Sequence, residues 1–343
     1  MMRLPRFRFV APRSVAEAAD VLASARPGDA MIVAGGTDLI PNMKRRQQTP
    51  GTLVSLRQVP ELRAMTNGDG LTIGAGVTLT QLIRAFDGDA YRPLNGLRQA
   101  AAHVATPHLR NMGTVGGNLC LDTRCNYYDQ NYEWRKAIDF CMKKDGTVCW
   151  VATSSPRCLA VSSADTAPMF VALGAAVTLS SAEGTRTIPV DALFQNDGIH
   201  YLTRRPAEIL TGVRLPDIAG WRSTYWKLRR RGSFDFPVLS VAAALKVSSD
   251  GTVQDARIAL GAVASRPLNV LEASATLVGR TLDDDVIAEA ADRAAQPARP
   301  MDNTDFTLHW RKRVTRAFVT YALRDLRGDD MRAERLRVAR QLL

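Results

Sequence analysis

Residues 31–44 read MIVAGGTDLIPNMK, an apolar run followed by two adjacent glycines and a segment with helical spacing of its apolar residues. This order predicts a short strand, a glycine turn and a helix. Such a turn exposes successive backbone N–H groups at a helix N-terminus, where a pyrophosphate group can bind. The stretch matches neither G-x-G-x-x-G nor G-x-x-x-x-G-K-S/T, so the classical nucleotide-binding folds are disfavoured, and a plain tight turn remains an alternative.

A second glycine-rich stretch, TPHLRNMGTVGGNL, occupies residues 106–119. Gly113, Gly116 and Gly117 allow a backbone to approach a ligand closely, while Thr114 and Asn118 add a hydroxyl and an amide. Three glycines and two polar side chains within six residues predict a binding loop rather than a bare turn.

Two charged residues farther along the chain are further candidates for ligand binding. Asp165, in SSADTAPMFVAL (162–173), stands at the predicted start of a helix, where it either caps that helix or binds a sugar hydroxyl. Lys227 begins a predicted strand and could reach a cleft between domains, where ligands often bind. A solvated lysine is the ordinary alternative.

The composition narrows the class of protein. The 343 residues suffice for two domains with buried cores. The net charge of +11 is spread along the chain, which favours a solvated basic surface or an acidic protein partner over nucleic acid. Apolar runs are too short to span a membrane and the N-terminus lacks a signal-peptide pattern, so the sequence predicts a cytoplasmic protein.

Short strands and helices alternate in the first part of the chain, which predicts an α+β fold. A stretch rich in proline and glycine, 208–220, predicts a boundary between domains at 1–217 and 218–343. Residues 224–263 then alternate like antiparallel strands, and helical segments follow. We therefore expect a three-stranded antiparallel sheet plus helices, with a basic helical tail that packs on a partner subunit or on its own domain.

The cysteines are crowded into one window. After Cys120 come Cys125, Cys141, Cys149 and Cys158, with the spacing C-x15-C-x7-C-x8-C. Clustered thiols in a reducing compartment are more often metal ligands or redox groups than disulfides, and four unligated cysteines in one loop would be a coincidence. Zinc sites usually contain close cysteine pairs, so zinc stays open but is not favoured, and thiolates also suit an iron–sulfur cluster.

Other side chains in this window have two interpretations. Its aromatic residues either limit water around a metal centre or anchor a long loop; they are Tyr127, Tyr128, Tyr132, Trp134, Phe140 and Trp150. Lys143, Lys144 and Asp145 predict a solvated turn, whose basic edge could dock an acidic electron carrier.

Taken in order, AGGTDL, RNMGTVGGNL, SSADTAP and KLRRRGSFDF resemble the FAD-binding subunits of the molybdenum hydroxylase family, over nearly the whole chain. The resemblance implies a PCMH-type FAD-binding domain, like that of vanillyl-alcohol oxidase and MurB, followed by a small CO-dehydrogenase-flavoprotein-type C-terminal domain. The FAD-binding residues that it implies are Ile32, Val33, Ala34, Gly35, Gly36, Thr37, Asp38, Leu39, Val104, Gly113, Thr114, Val115, Gly116, Gly117, Asp165 and Lys227.

The resemblance also implies a role for each of these segments. Residues 32–39 and 113–117 would enclose the pyrophosphate, and Val104 would lie near the flavin. Asp165 would bind the ribityl or adenosine part. Lys227 would lie near the isoalloxazine ring, where a cation stabilises reduced anionic flavin.

The chain departs from most of the family between Gly117 and Asp165, where the 47 residues 118–164 replace a short connection. This insertion, at about 120–160, is similar to that of a family member whose flavin subunit carries an extra [4Fe–4S] cluster. The likeness implies that the cluster ligands are Cys125, Cys141, Cys149 and Cys158. It also implies that Asn126 contacts FAD.

The function that the resemblance implies is that of an oxidoreductase subunit without catalytic residues of its own. Electrons would pass from reduced ferredoxin through the cluster and FAD to a small [2Fe–2S] subunit and a large molybdenum subunit, in paired heterotrimers. The histidines form no metal-binding or nucleophile pattern; they are His103, His108, His200 and His309. Outward electron flow in an oxidative hydroxylase and a zinc-stapled structural insertion remain alternatives.

Overall fold

The N-terminal part of the chain forms a small parallel sheet that carries the first glycine loop. In the computed structural model its strands β1 (Arg8–Val10), β2 (Ala30–Val33) and β3 (Thr52–Ser55) lie in the order β1-β3-β2. Helix α1 (Val15–Ser24) joins the first two strands, and α2 (Leu39–Lys44) precedes the third, as the glycine-turn pattern predicts. The structure describes residues 3–68, 70–232 and 234–340.

A five-stranded antiparallel sheet, in the spatial order β4-β5-β8-β6-β7, follows. Its strands are β4 (Met65–Gly68), β5 (Gly70–Gly74), β6 (Ala176–Ser181), β7 (Gly184–Pro189) and β8 (Ile209–Leu215). The central strand β8 occupies most of the stretch in which proline and glycine predict a boundary. Residues 209–215 are therefore sheet interior rather than linker, because both neighbouring strands bond to them.

Helices occupy much of the chain between β5 and β6. They are α3 (Leu79–Ala85), α4 (Asn95–Ala102), α5 (Pro107–Arg110), α6 (Val115–Leu119), α7 (Tyr132–Ala137) and α8 (Thr166–Ala172), of which α7 lies in the insertion. Short 3-10 helices occupy Leu56–Gln58, Pro60–Arg63, Asp89–Leu94 and Val190–Leu193. Buried side chains of α3, α4 and α8 share one core with the sheet.

The C-terminal part forms a four-stranded antiparallel sheet in the order β12-β11-β10-β9. Its strands are β9 (Trp221–Leu228), β10 (Leu239–Val247), β11 (Val253–Gly261) and β12 (Leu268–Asn269). The three long strands are the predicted ones, and the two-residue β12 adds a fourth at the edge. The helices here are α9 (Leu271–Leu277), α10 (Asp284–Ala295), α11 (Leu308–Arg327) and α12 (Arg332–Ala339).

This third sheet is buried on both faces. Tyr225 and Ala244 pack into the core of the five-stranded sheet, whereas Trp226 and Val241 pack into a second core with the C-terminal helices. Successive strand residues point to opposite faces, so each of the three long strands contributes to both cores. Strands β10 and β11 therefore lie against α8, the helix that begins after Asp165. No helix within the described residues combines the length and apolarity needed to cross a bilayer.

Candidate functional site

The two predicted glycine loops contact each other. A Cβ atom on Gly35 would overlap the carbonyl oxygen of Met112, and one on Gly113 would lie 3.6 Å from Oγ1 of Thr37. Gly36 has a φ of +70°, in the left-handed region that favours glycine. Glycine at these positions permits both the sharp turn after β2 and the close approach of the second loop.

The first loop has backbone donors with no acceptor in the described part of the chain. Strand β2 ends at Val33, and the N–H of Ile40 donates to the carbonyl of Gly36 at 3.1 Å. Among the described residues, nothing accepts a hydrogen bond from the N–H groups of residues 35–38. Adjacent unpaired donors before a helix suit a phosphate group, so this loop fits the predicted anion cradle.

The second loop uses its backbone donors internally. The N–H of Val115 donates to the carbonyl of Val77 at 2.9 Å, that of Gly116 to Ala75 at 2.8 Å, and that of Gly117 to Oγ1 of Thr114 at 3.1 Å. Val115 is fully buried. This segment therefore supports the first loop by packing, and its donors at 115–117 are not available to wrap a pyrophosphate.

Both loops line one cleft of about 800 Å³, within the usual size range of cofactor pockets. The predicted residues on its wall are Ile32, Val33, Ala34, Gly35, Gly36, Thr37, Asp38, Leu39, Val104, Gly113, Thr114, Gly116, Gly117 and Asp165. Cys120 also lines it. Three predicted contacts lie off this wall: Val115, Asn126 and Lys227.

Arg124 is a residue of the cleft that sequence reasoning missed. Its guanidinium pairs with the carboxylate of Asp38 and lies 3.2 Å from that of Asp129. It also lies over the ring of Phe236, 4.7 Å from the ring centroid. A bare carboxylate in a phosphate cradle would repel the ligand, so the arginine neutralises Asp38 and joins the first loop to the insertion.

Asp165, which precedes helix α8, and Lys227, on strand β9, form a buried ion pair. The ammonium lies 2.9 Å from the carboxylate of Asp165 and donates to the carbonyl of His103 at 2.9 Å. Tyr225 donates to the same carboxylate at 2.8 Å. The Asp165 side chain makes no capping bond to α8. Lys227 is thus paired with Asp165 and lies off the cleft wall, and its place near the isoalloxazine ring stays a prediction.

Burial determines the protonation behaviour of this cluster. It raises the pKa of Asp165 and lowers the pKa of Lys227, while the charge of each partner opposes the shift of the other. Burial, reinforced by the charge of Lys227, lowers the pKa of the His103 imidazole to about 3. His103 is therefore neutral at physiological pH and adds no second cation beside the lysine.

Asn126 is placed differently from its prediction. The residue is exposed, and its backbone N–H donates to the carbonyl of Asn303 at 2.9 Å. The side-chain amide of Asn303 in turn donates to the carbonyl of Leu159 at 2.6 Å. Asn126 therefore helps attach the insertion to the C-terminal part of the chain, outside the cleft.

The insertion gathers its four predicted ligands around one small buried cavity. Cys125, Cys141, Cys149 and Cys158 are all buried and free of disulfides. They line this cavity together with Tyr127, Tyr128, Met142, Lys143, Trp150, Val151 and Ala160. Among the described residues, no group of three or more potential ligands is arranged to hold a metal ion. The structure thus brings the thiols together, while metal binding stays a prediction.

The surroundings of these thiols are apolar. Burial, with smaller contributions from the other three thiols, raises the pKa of Cys125 to about 12. Burial also raises the pKa of Cys158 to about 11. Four thiols line the cavity, and its described lining includes no histidine or carboxylate. Cysteine thiolates are the usual ligands of iron–sulfur clusters.

The predicted solvated turn is only partly solvated. Lys144 and Asp145 form an ion pair of 3.3 Å at partly exposed positions. The side chain of Lys143, by contrast, is 6% exposed and turns inward. Neighbouring lysines in the sequence therefore have opposite environments.

Comparison with known proteins identifies the family. The profile of the FAD binding domain in molybdopterin dehydrogenase matches residues 5–218, more than half of the chain. That of the CO dehydrogenase flavoprotein C-terminal domain matches residues 223–326. The chain belongs to the FAD-binding subunits of the molybdenum hydroxylase family. Its cleft, with unpaired donors at residues 35–38, fits the cofactor of that family.

Similar molybdenum hydroxylase subunits cover most of the chain. It is 33% identical over 281 residues to the aldehyde oxidoreductase FAD-binding subunit PaoB of Escherichia coli strain K12, covering 79% of this chain and 86% of that protein. It is 29% identical over 303 residues to the carbon monoxide dehydrogenase medium chain of Hydrogenophaga pseudoflava, covering 87% and 89%.

The fold agrees with solved structures of this family. CO dehydrogenase from Oligotropha carboxidovorans superimposes with a TM-score of 0.76 at 27% identity, covering 95% of this chain and 99% of that one. The architecture is therefore the FAD-binding domain followed by the flavoprotein C-terminal domain. The names "medium chain" and "FAD-binding subunit" describe these relatives as parts of larger enzymes.

Proposed function

We propose that this chain is the FAD and [4Fe–4S] subunit of a 4-hydroxybenzoyl-CoA reductase, an enzyme of anaerobic aromatic degradation. It receives single electrons from a low-potential donor such as reduced ferredoxin. It passes them to a small [2Fe–2S] subunit and a large molybdenum subunit, in paired heterotrimers. There, two electrons and two protons replace the phenolic hydroxyl by hydrogen, giving benzoyl-CoA and water.

The gathering of the insertion cysteines carries this proposal. Cys125 and Cys158 are far apart in sequence, yet the fold places both, with Cys141 and Cys149, around one buried cavity. The insertion lies between the second glycine loop and Asp165, so its cavity neighbours the cleft. A low-potential cluster beside a flavin would give electrons from ferredoxin a one-electron centre next to FAD.

The residues of this chain bind the cofactors and exclude water. The N–H groups of residues 35–38 bind the pyrophosphate, and Arg124 keeps the nearby carboxylate of Asp38 from repelling it. Tyr128 and Trp150 cover the cysteine cavity. When bound, FAD exchanges electrons singly or in pairs, which joins one-electron centres to a two-electron reaction. No residue here acts on the substrate.

Anaerobic purification with cofactor analysis tests the proposal. We expect FAD together with about four iron atoms and a matching amount of acid-labile sulfide per chain, as a [4Fe–4S] cluster requires. A small iron–sulfur chain and a large molybdenum-containing chain should co-purify. Zinc without iron would contradict the electron relay and indicate a zinc-stapled insertion.

Substitution of one thiol tests the ligand set. Cys125→Ser should lose iron and sulfide while FAD is retained, because Cys125 lines the cysteine cavity and not the cleft. Cys120→Ser is the matched control, since Cys120 lies on the cleft and outside the cysteine cavity. Metal analysis and the flavin absorbance report both results. Full iron content in Cys125→Ser would show that the ligand set is wrong.

A further inference from the structure

A buried lysine lies between the cysteine cavity and the cleft. The ammonium of Lys143 is 2.8 Å from the carboxylate of Asp122 and donates to Oγ1 of Thr123 at 2.7 Å. It also donates to the carbonyl of Gly198 at 2.5 Å. The side chains of Lys143 and Asp122 are each 6% exposed, so this ion pair is screened little by solvent.

The two ends of this pair face different sites. Lys143 lines the cysteine cavity, and Asp122 lines the cleft. Aromatic rings flank the ammonium, with the centroid of Tyr128 at 4.9 Å and that of Tyr201 at 5.4 Å. Tyr128 belongs to the cysteine cavity and Tyr201 to the cleft. The pair is thus part of the wall that both sites share.

The second oxygen of the Asp122 carboxylate is also hydrogen-bonded. Oδ2 of Asp122 accepts hydrogen bonds from the hydroxyl of Tyr128 at 3.2 Å and from the amide of Gln48 at 3.2 Å. Gln48 lines the cleft and Tyr128 lines the cysteine cavity, so these contacts fix the carboxylate between the two sites. The orientation, with the cation towards the cysteines and the anion towards the cleft, is therefore defined by the surrounding residues.

Gly198 brings the lysine close to one thiol. A Cβ atom on Gly198 would lie 2.6 Å from Sγ of Cys158, and the N–H of Gly198 donates to the carbonyl of Cys158 at 2.9 Å. The carbonyl of the same glycine accepts from Lys143. One residue thus separates the ammonium from a predicted cluster ligand.

We propose that the buried Lys143–Asp122 pair sets the relative reduction potentials of the two sites, with Lys143 as a positioning residue that favours electron density at the cysteine side. This inference rests on the proposed function, because it requires a redox centre at the four thiols. A nearby positive charge stabilises the reduced, more negative form of a centre, and a nearby negative charge does the opposite. Buried ion pairs often contribute little net stability, so a redox role accounts for retaining one here.

The test is a potentiometric titration of the anaerobically purified complex, with the iron–sulfur signal followed by electron paramagnetic resonance. Lys143→Met removes the charge and keeps a side chain of similar length. It should lower the midpoint potential of this centre. Asp122→Asn leaves the lysine charge unneutralised and should raise it. If the Lys143–Asp122 pair had only a structural role, the two variants would not shift the midpoint potential in opposite directions.

Two further variants serve as controls. Lys143→Arg retains the charge and should stay close to the wild-type potential. Lys144→Met removes the adjacent, partly exposed lysine and should leave the potential unchanged.

The outcomes separate this inference from the function on which it rests. Wild-type protein without iron and sulfide overturns both. A wild-type cluster whose potential is unmoved in Lys143→Met and Asp122→Asn overturns this inference alone. The same holds if both variants shift the potential in one direction or both lose the cluster, because the pair would then be structural.

Discussion

Gly35 shows how one missing side chain shapes the cleft. The first loop approaches the backbone of the second so closely that a Cβ at this position would overlap the carbonyl oxygen of Met112. Backbone cannot move aside as the end of a flexible side chain can. The unpaired N–H groups of residues 35–38 therefore depend on this contact for their position against the second loop.

Gly35→Ala should weaken FAD binding. Overpacking of this kind typically costs about 1–3 kcal/mol, which corresponds to a loss of affinity of roughly 5- to 150-fold. Titration of the apoprotein with FAD measures this affinity. Gly68→Ala is the control, since no described atom apart from its chain neighbours lies within 4 Å of a Cβ added at Gly68. Equal FAD affinity in Gly35→Ala and wild type would show that the loops adjust freely.

Helix α12 shows how an element finds its partner within the same chain. The sequence leaves open whether this basic helix packs on another subunit or on its own domain. In the structure, Arg335 donates to Oγ1 of Thr224 at 3.0 Å and lies 2.5 Å from the carboxylate of Asp325. Its guanidinium lies over the ring of Trp226 at 4.1 Å. Helix α12 thus contacts strand β9 and helix α11 of its own domain.

Arg335→Met should destabilise the C-terminal domain by about 1–2 kcal/mol. This is the usual value of a hydrogen bond to a charged group, reduced because the Arg335 side chain is partly exposed. Urea unfolding followed by tryptophan fluorescence measures this, because Trp226 lies beneath the guanidinium. Arg332 in the same helix has a 90% exposed side chain and pairs with Asp330. Arg332→Met should leave the unfolding midpoint unchanged. A similar loss in both variants would argue against a specific role of Arg335.

The whole molecule depends on the C-terminal sheet being enclosed by two cores. One face packs with the five-stranded sheet and its helices, and the other packs with the C-terminal helices. The Asp165–Lys227 pair crosses the first of these interfaces directly behind the cleft. The cleft wall at Asp165 therefore depends on the position of the C-terminal domain.

Breaking this pair should destabilise the fold. Asp165→Asn leaves a buried ammonium without its counter-charge and should lower the free energy of unfolding by about 3–5 kcal/mol. Combining it with Lys227→Met removes both charges, and the loss in the double variant should be smaller than the sum of the single losses. Urea unfolding of the four proteins gives this coupling. Strictly additive losses would contradict a direct interaction.

Local features of the chain are predictable from the sequence because they depend on neighbouring residues. Strand and helix order follows from periodicity, and the strand, glycine turn and helix predicted for residues 31–44 are confirmed by the structure. The second glycine-rich stretch, predicted as a loop, contains helix α6. Strand β12 and the sheet role of residues 209–215 are not apparent, since short strands are defined by pairing with distant partners. Arg124 was missed for the same reason, because its partner Asp38 lies far away in the chain.

The sequence alone determined the kinds of element, the glycine turns and the family to which the chain belongs. Only the tertiary structure decided the environment of individual charged and polar groups. Lys227 is paired rather than free, Lys143 is buried rather than solvated, and the donors of residues 115–117 are already used. Burial and charge pairing arise from contacts between segments distant in sequence, and no local pattern encodes them.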